Sequence, residues 1–341
     1  MPTMTSELGF DLFSYAHRGP GRRDHLSPAE VAQIARTVHR APEVMVKVLT
    51  QGAANLGAVR RHLDYIGRKG EVELETDHGW PLTRPDAANG LLDDWNLELE
   101  EVGSRTALPA ETGKPGPRLV HKLVFSMPAG TSAHRVLAAT RNFLREEFAL
   151  QHRYAMALHT YEPHPHVHVV LKAVSEQGRR LNIRKATLRQ WREGFARHLR
   201  TVGVEANATP RQIRGEVAPR KTDGIYRASR REDSTHMRGR AQAAARTPVT
   251  GHAPIEPGKA KLLRTRQEAQ RAWSVVGDLL TQQGRPDLSA EIRRFAAHMP
   301  PPMTEREWIA EGLVERSPEP RIQEPRNAIA FRWPRSRQRE M

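Results

Sequence analysis

The stretch YAMALHTYEPHPHVHVVLKAV, residues 154–174, constrains the fold more than any other. Two apolar runs flank the Pro-containing turn EPHP, and both are short and rich in residues that favour strands. The simplest arrangement is an antiparallel pair, 154–159 and 166–174, closed by that turn. Strand side chains alternate between faces, so His166 and His168 share one face. His159 then arrives on the same face from the partner strand. Three neutral imidazoles so placed can hold a divalent ion and leave positions open for substrate oxygens. His164 precedes the strand and is set apart from the three.

The rest of the chain supplies a domain around this pair. LSPAEVAQIARTVHR predicts a helix, with Ser27 as cap, Pro28 in the first turn and Glu30 completing a capping box. VMVKVL (44–49), EVELET (71–76) and HKLVFSMPAG (121–130) predict strands. Helices are predicted over GAVRRHLDYIGRKG, around 87–97, over 132–149, and over KATLRQWREGFARHLRTVGV. This order of strands and helices predicts an α+β fold with a largely antiparallel central sheet over 43–206. Residues 1–42 read as a basic N-terminal extension with one helix. Residues 207–255 read as a basic arm, with ten Lys/Arg against four Asp/Glu between 211 and 246. Residues 256–315 regain helical spacing, and 316–341 form an Arg-rich tail.

Charge narrows the partner. There are 54 Lys and Arg against 39 Asp and Glu, a formal charge of +15. Such an excess drives salt-dependent attraction to phosphate, so nucleic acid is the expected partner. The absence of cysteine excludes disulfides, cysteine metal sites and thiol catalysis. No run of about 18 apolar residues is present, so no membrane-spanning helix is expected. The start of the chain lacks the apolar core of a secretory signal.

A phosphoryl-transfer enzyme without cysteine needs a hydroxyl nucleophile. Tyr65 is the candidate, because it lies near a helix end among Arg61, Arg68 and Lys69, which can hold DNA and favour a phenolate.

LDYIGRKGEVELE, HKLVFSMPAGT and ALHTYEPHPHVHVVL, in this order, resemble the three motifs of conjugative relaxases within the His-hydrophobic-His endonuclease superfamily. The mobilisation class that includes the T-DNA border endonucleases is the most similar. The resemblance implies an RNA-recognition-motif-like sheet flanked by helices, to which the helical spacing of 256–315 adds a small helical C-terminal region. It implies that Tyr65 attacks single-stranded DNA at a transfer origin, forming a 5′-phosphotyrosine. His159, His166 and His168 are implied to hold Mg²⁺ or Mn²⁺. Ser126 is implied to contact DNA near the nick, beside Arg61, Arg68, Lys69 and His164. Relatives often carry Asp where Tyr161 stands and Asn where Lys172 stands, two departures that leave the level of metal affinity and turnover open while keeping the nucleophile and the ligands. Implied partners are the origin strand, an accessory DNA-binding protein and a type IV coupling protein. The implied setting is the cytoplasm of a bacterial donor cell, with passage of the protein alongside its DNA. The tail RNAIAFRWPRSRQREM is then a candidate export signal.

Two rivals remain at this level. A rolling-circle replication initiator would place its tyrosine after the histidine motif, where Tyr226 is the only choice. A binding-only relative would keep the histidines for a structural metal, with His164 as a fourth ligand.

Overall fold

The computed structural model describes residues 11–16, 24–49, 54–83, 86–106, 117–216, 239 and 257–309. Helices α1 (Leu12–Ala16) and α2 (Pro28–Val38) come first. Then follow β1 (Met45–Leu49), α3 (Leu56–Ile66), β2 (Leu74–Thr76), β3 (Pro81–Leu82), α4 (Ala87–Asp94) and α5 (Leu97–Thr106). The chain continues through β4 (Val120–Ser126), α6 (Ala133–Phe148), β5 (Tyr154–His159), β6 (His166–Lys172) and α7 (Lys185–Thr201). Among the described residues, α8 (Arg211–Arg214), α9 (Pro257–Gln282) and α10 (Pro286–Ala297) follow, and 305–309 are helical as well. The fold is α+β, as expected.

The six strands form one antiparallel sheet in the order β1-β4-β6-β5-β2-β3. Alternation divides its side chains between two cores. Val46, Leu123, Phe125, Val167, Val169, Leu171 and Met156 face α6 and α7, against Phe143, Phe148, Trp191 and Phe195. Phe125 stacks edge-on to Phe195, with centroids 5.1 Å apart. Truncating such a ring to Ala costs about 3–5 kcal/mol. On the other face, Ala155, Ala157 and Val170 pack under α3, α4 and α5 through Val59, Leu63, Ile66, Leu91 and Trp95.

Helices from both ends of the chain share a third core. Leu12, Tyr15, Val31 and Ile34 meet Ile213, Trp273, Val276 and Ile292. The predicted cap of α2 is present: Ser27 Oγ accepts from Glu30 N–H and the Glu30 carboxylate accepts from Ser27 N–H. Asn207 Nδ2 donates to Thr37 Oγ1, Glu43 Oε1 and Thr209 Oγ1, tying α2 to the approach to β1.

The chain separates into two compact units, 1–216 with 265–300, and 217–264 with 301–341. In the second, Lys259 Nζ donates to the Glu307 carboxylate at 2.7 Å.

Three details depart from expectation. The helix expected around 87–97 is two helices, because Asn96 adopts a left-handed φ of 53° and breaks the run. The strand expected over 71–76 shrinks to β2, because the turn through Arg68, Lys69 and Gly70 consumes the residues before it. The two-residue β3 is too short to show any period.

Candidate active site and metal centre

Helix α3 sets the site. Asn55 Oδ1 accepts from Ala58 N–H at 2.8 Å and starts it. Val59, Leu63 and Ile66 recur at helical spacing and bury against the sheet. His62 and Tyr65 therefore fall together on the flank of the helix that borders the histidines. Gly67 ends α3 where a side chain would crowd Leu74 at 3.2 Å. Arg68 and Lys69 follow with positive φ of 47° and 54°, a conformation costly for residues with a Cβ. This turn carries the Arg68 guanidinium over the Tyr161 ring, 4.1 Å from its centroid.

Strands β5 and β6 bring the three histidines together. His159 lies directly opposite His166 in the register, and His168 lies opposite Ala157. One ligand nitrogen from each of His159, His166 and His168 lies within 4.8 Å of the others. The Tyr65 ring centroid is 6.0 Å from that of His168 and 6.4 Å from that of His159. Its own ring is 54% exposed, so the phenol faces the surface beside the cluster.

Hydrogen bonds fix which nitrogens can ligate. His159 Nε2–H donates to the Ile66 carbonyl at 2.7 Å, which leaves Nδ1 with its lone pair. The Tyr161 hydroxyl faces that Nδ1 at 3.1 Å. His166 Nδ1–H donates to the His164 carbonyl at 2.9 Å, leaving Nε2. His168 Nδ1 is buried without a hydrogen-bond partner among the described residues. Burial first, then neighbouring imidazoles, push His168 down to about 3. Burial likewise lowers His159. Neutral imidazoles with oriented lone pairs are the state a metal ion requires, so the donor set fits a divalent ion.

Arg61, Arg68 and Lys69 are exposed around this face of α3 and its turn. Ser126 lies opposite His166 on β4 but is 3% exposed, with its hydroxyl donating to the Met127 carbonyl. His164 is exposed in the turn before β6, and its side chain is outside the cluster. Lys172 lies four residues beyond His168, about 13 Å along the strand. There it pairs with Glu100 and Glu176, each at 3.2 Å. Its side chain is not among the groups that converge on the three histidines. Tyr226 and the tail 326–341 lie outside the described residues.

Two site residues escaped sequence reading. His62 stacks on Tyr65, with centroids 6.1 Å apart, and meets His168 edge-on at 6.2 Å. Its spacing of three before Tyr65 on one helix was the available signal. Lys122 sits buried on the histidine face of β4, and its even spacing to Ser126 was the signal there.

Residues 83–203 match the family described as relaxase, MobA/VirD2-like, nuclease domain. The span holds all three histidines, while α3 and Tyr65 precede it. The chain is also 26% identical over 215 residues to the T-DNA border endonuclease VirD2 of Agrobacterium fabrum, covering 58% of this chain and 46% of the relative. A VirD2 of Rhizobium rhizogenes is 28% identical over 138 residues, covering 38% of this chain and 30% of the relative. The chain thus spans less than half the length of the curated relatives it matches. No helix among the described residues is long and apolar enough to cross a membrane. With the sheet order, the clustered histidines and the adjacent tyrosine, these matches agree on one conclusion: residues 83–203 are similar to the nuclease domain of MobA/VirD2-like relaxases.

Proposed function

We propose that this protein nicks one strand of DNA at a transfer origin and pilots that strand in conjugative transfer. The observation that carries the reading is the Tyr65 ring set beside two of the three clustered histidines. The Tyr65 oxygen attacks the scissile phosphorus, a new P–O bond forms, and the bond to the 3′ oxygen breaks. The phenolic proton leaves as the 3′-hydroxyl gains one, so the protons balance. One phosphodiester replaces another as a 5′-phosphotyrosine, which lets the reverse attack reseal the strand.

His159, His166 and His168 would hold a divalent ion, Mn²⁺ or Mg²⁺, whose chemistry is to orient the phosphate and offset its growing charge. A set of three imidazoles suits Mn²⁺ better than the oxygen-seeking Mg²⁺. Ile66 and His164 orient their imidazoles through backbone carbonyls. Arg68, held over Tyr161, keeps a fixed positive charge at the edge of the site. Arg61, Lys69 and His164 line the strand-binding surface in this reading, with Ser126 buried beneath it opposite His166.

The same reading includes an accessory DNA-binding protein and a type IV coupling protein as partners. It places the work in the cytoplasm of a donor cell, with export of the protein on its DNA directed by 326–341. Removing those residues is expected to abolish transfer and spare nicking. The test of the chemistry is nicking of supercoiled parent-element DNA by wild type and Tyr65→Phe, with metal, with chelator, and with metal restored. Wild type alone, and only with metal, is expected to yield nicked circles. Undiminished nicking by Tyr65→Phe would contradict the reading.

A further inference from the structure

The sheet carries two buried lysines with opposite surroundings. Lys172 on β6, 7% exposed, is held between two glutamates. Lys122 on β4, 9% exposed, makes no ion pair with an acid among the described residues. Its charged neighbour is Arg61, a second cation, and burial and Arg61 together lower its pKa. His62 borders the same place, within electrostatic reach of Lys122. His62 Nε2 is buried there without a hydrogen-bond partner among the described residues.

The register puts this group next to the chemistry. Val124 lies opposite His168, and Lys122 is one pleat further along the same face, opposite Val170. Lys47 on β1 lies opposite Val124 on that face and is exposed. A buried ammonium beside another cation and an unsatisfied ring nitrogen costs folding free energy, and no acid among the described residues offsets it. An anion would satisfy all three donors at once.

We propose that Lys122, with Arg61 and His62 at its rim, forms a binding site for a backbone phosphodiester of the DNA strand neighbouring the scissile phosphate. A phosphodiester supplies one negative charge and two unesterified oxygens, which the lysine ammonium, the Arg61 guanidinium and the His62 Nε2–H can share. Lys47 extends the cationic track away from the histidines. The proposal rests on the reading of the protein as a single-strand nicking enzyme, and it names a contact that positions the strand for Tyr65.

The test uses the full chain and a single-stranded oligonucleotide from the transfer origin of the parent element, chosen by footprinting of the bound protein. Single phosphates are replaced in turn by neutral methylphosphonates, and binding is measured for wild type and Lys122→Met. Wild type is expected to lose about tenfold in affinity at one flanking phosphate, the size of one charge-assisted contact. Lys122→Met is expected to bind the unmodified strand about tenfold more weakly and to be indifferent at that same phosphate. Equal sensitivity of both proteins at every position would overturn the proposal. Thermal melting separates a structural role: Lys122→Met is expected to melt at or above wild type, and a lower melting temperature would count against the proposal. Binding is read without cleavage. A wild type that never nicks but shows this coupling refutes the nicking chemistry and supports the phosphate site. Nicking without coupling does the reverse.

Discussion

His159 Nε2–H donates to the carbonyl of Ile66 at 2.7 Å, and Ile66 is the residue after Tyr65. One imidazole thus orients itself for a metal and pins the end of the helix that carries the proposed nucleophile. His166 makes no such link, since its Nδ1–H is spent on His164 beside it. His166→Ala and His159→Ala are each expected to lower nicking by about 10- to 100-fold at limiting Mn²⁺. Saturating Mn²⁺ is expected to restore much of the His166→Ala activity and little of the His159→Ala activity. Equal recovery of the two variants in a metal titration would show that the Ile66 bond does not position Tyr65.

Tyr161 stands where relatives often carry Asp, and its hydroxyl faces the one ring nitrogen of His159 left for a metal. A metal must displace that hydroxyl, which its half-exposed position permits. Tyr161→Phe removes a competing hydrogen bond of about 1 kcal/mol. Metal affinity measured by calorimetry is therefore expected to rise about fivefold. A loss of affinity in this variant would mean that the phenol supports the metal, as the carboxylate is expected to do in relatives.

Lys172 is a strut between β6, Glu100 on α5 and Glu176. Lys172→Asn, though it restores the residue usual among relatives, leaves Glu100 unpaired and largely buried. A loss of about 2 kcal/mol in denaturant unfolding is expected, with nicking at saturating metal unchanged. A stable variant with altered nicking would place Lys172 in the site after all.

The metal-free protein should weaken in mild acid. Burial holds His62 down to about 4 and His168 to about 3, against 6.5 for an unperturbed histidine. Between 6.5 and these values the unfolded chain binds protons that the folded chain refuses. Stability is therefore at its full value above 6.5 and falls as pH drops through this window. The urea midpoint is expected to be lower at about pH 5 than at about pH 8, and His62→Phe is expected to flatten that slope. A midpoint independent of pH would show that these imidazoles are not buried as neutral rings.

Much of this site was legible in the sequence because its elements are local. The alternating His-Val-His of β6 and the apolar period of α3 each carry their own face, and a short turn brings His159 opposite His166. The α+β order followed from the succession of apolar runs, and its likeness to an RNA-recognition motif came only with the family resemblance. What was not legible depends on contacts distant in sequence. Lys122 is separated from His62 by 60 positions, and only the packing of α3 on the sheet makes them neighbours. The left-handed φ of Asn96, which divides α4 from α5, has no signal beyond an amino acid that tolerates it. The shared core of Trp273 with Leu12 and Ile34 joins the chain's two ends, which no local period can reveal.

The central claim is that Tyr65 becomes covalently joined to DNA. The direct measurement is to trap the nicked complex on parent-element DNA with Mn²⁺, digest the protein, and identify by mass spectrometry the peptide that retains a 5′-phosphorylated nucleotide. The account predicts that the adduct lies on Tyr65, within the peptide that contains LDYIGR. An adduct on Tyr226 or Tyr161, or tight binding with no adduct under any metal, would contradict it.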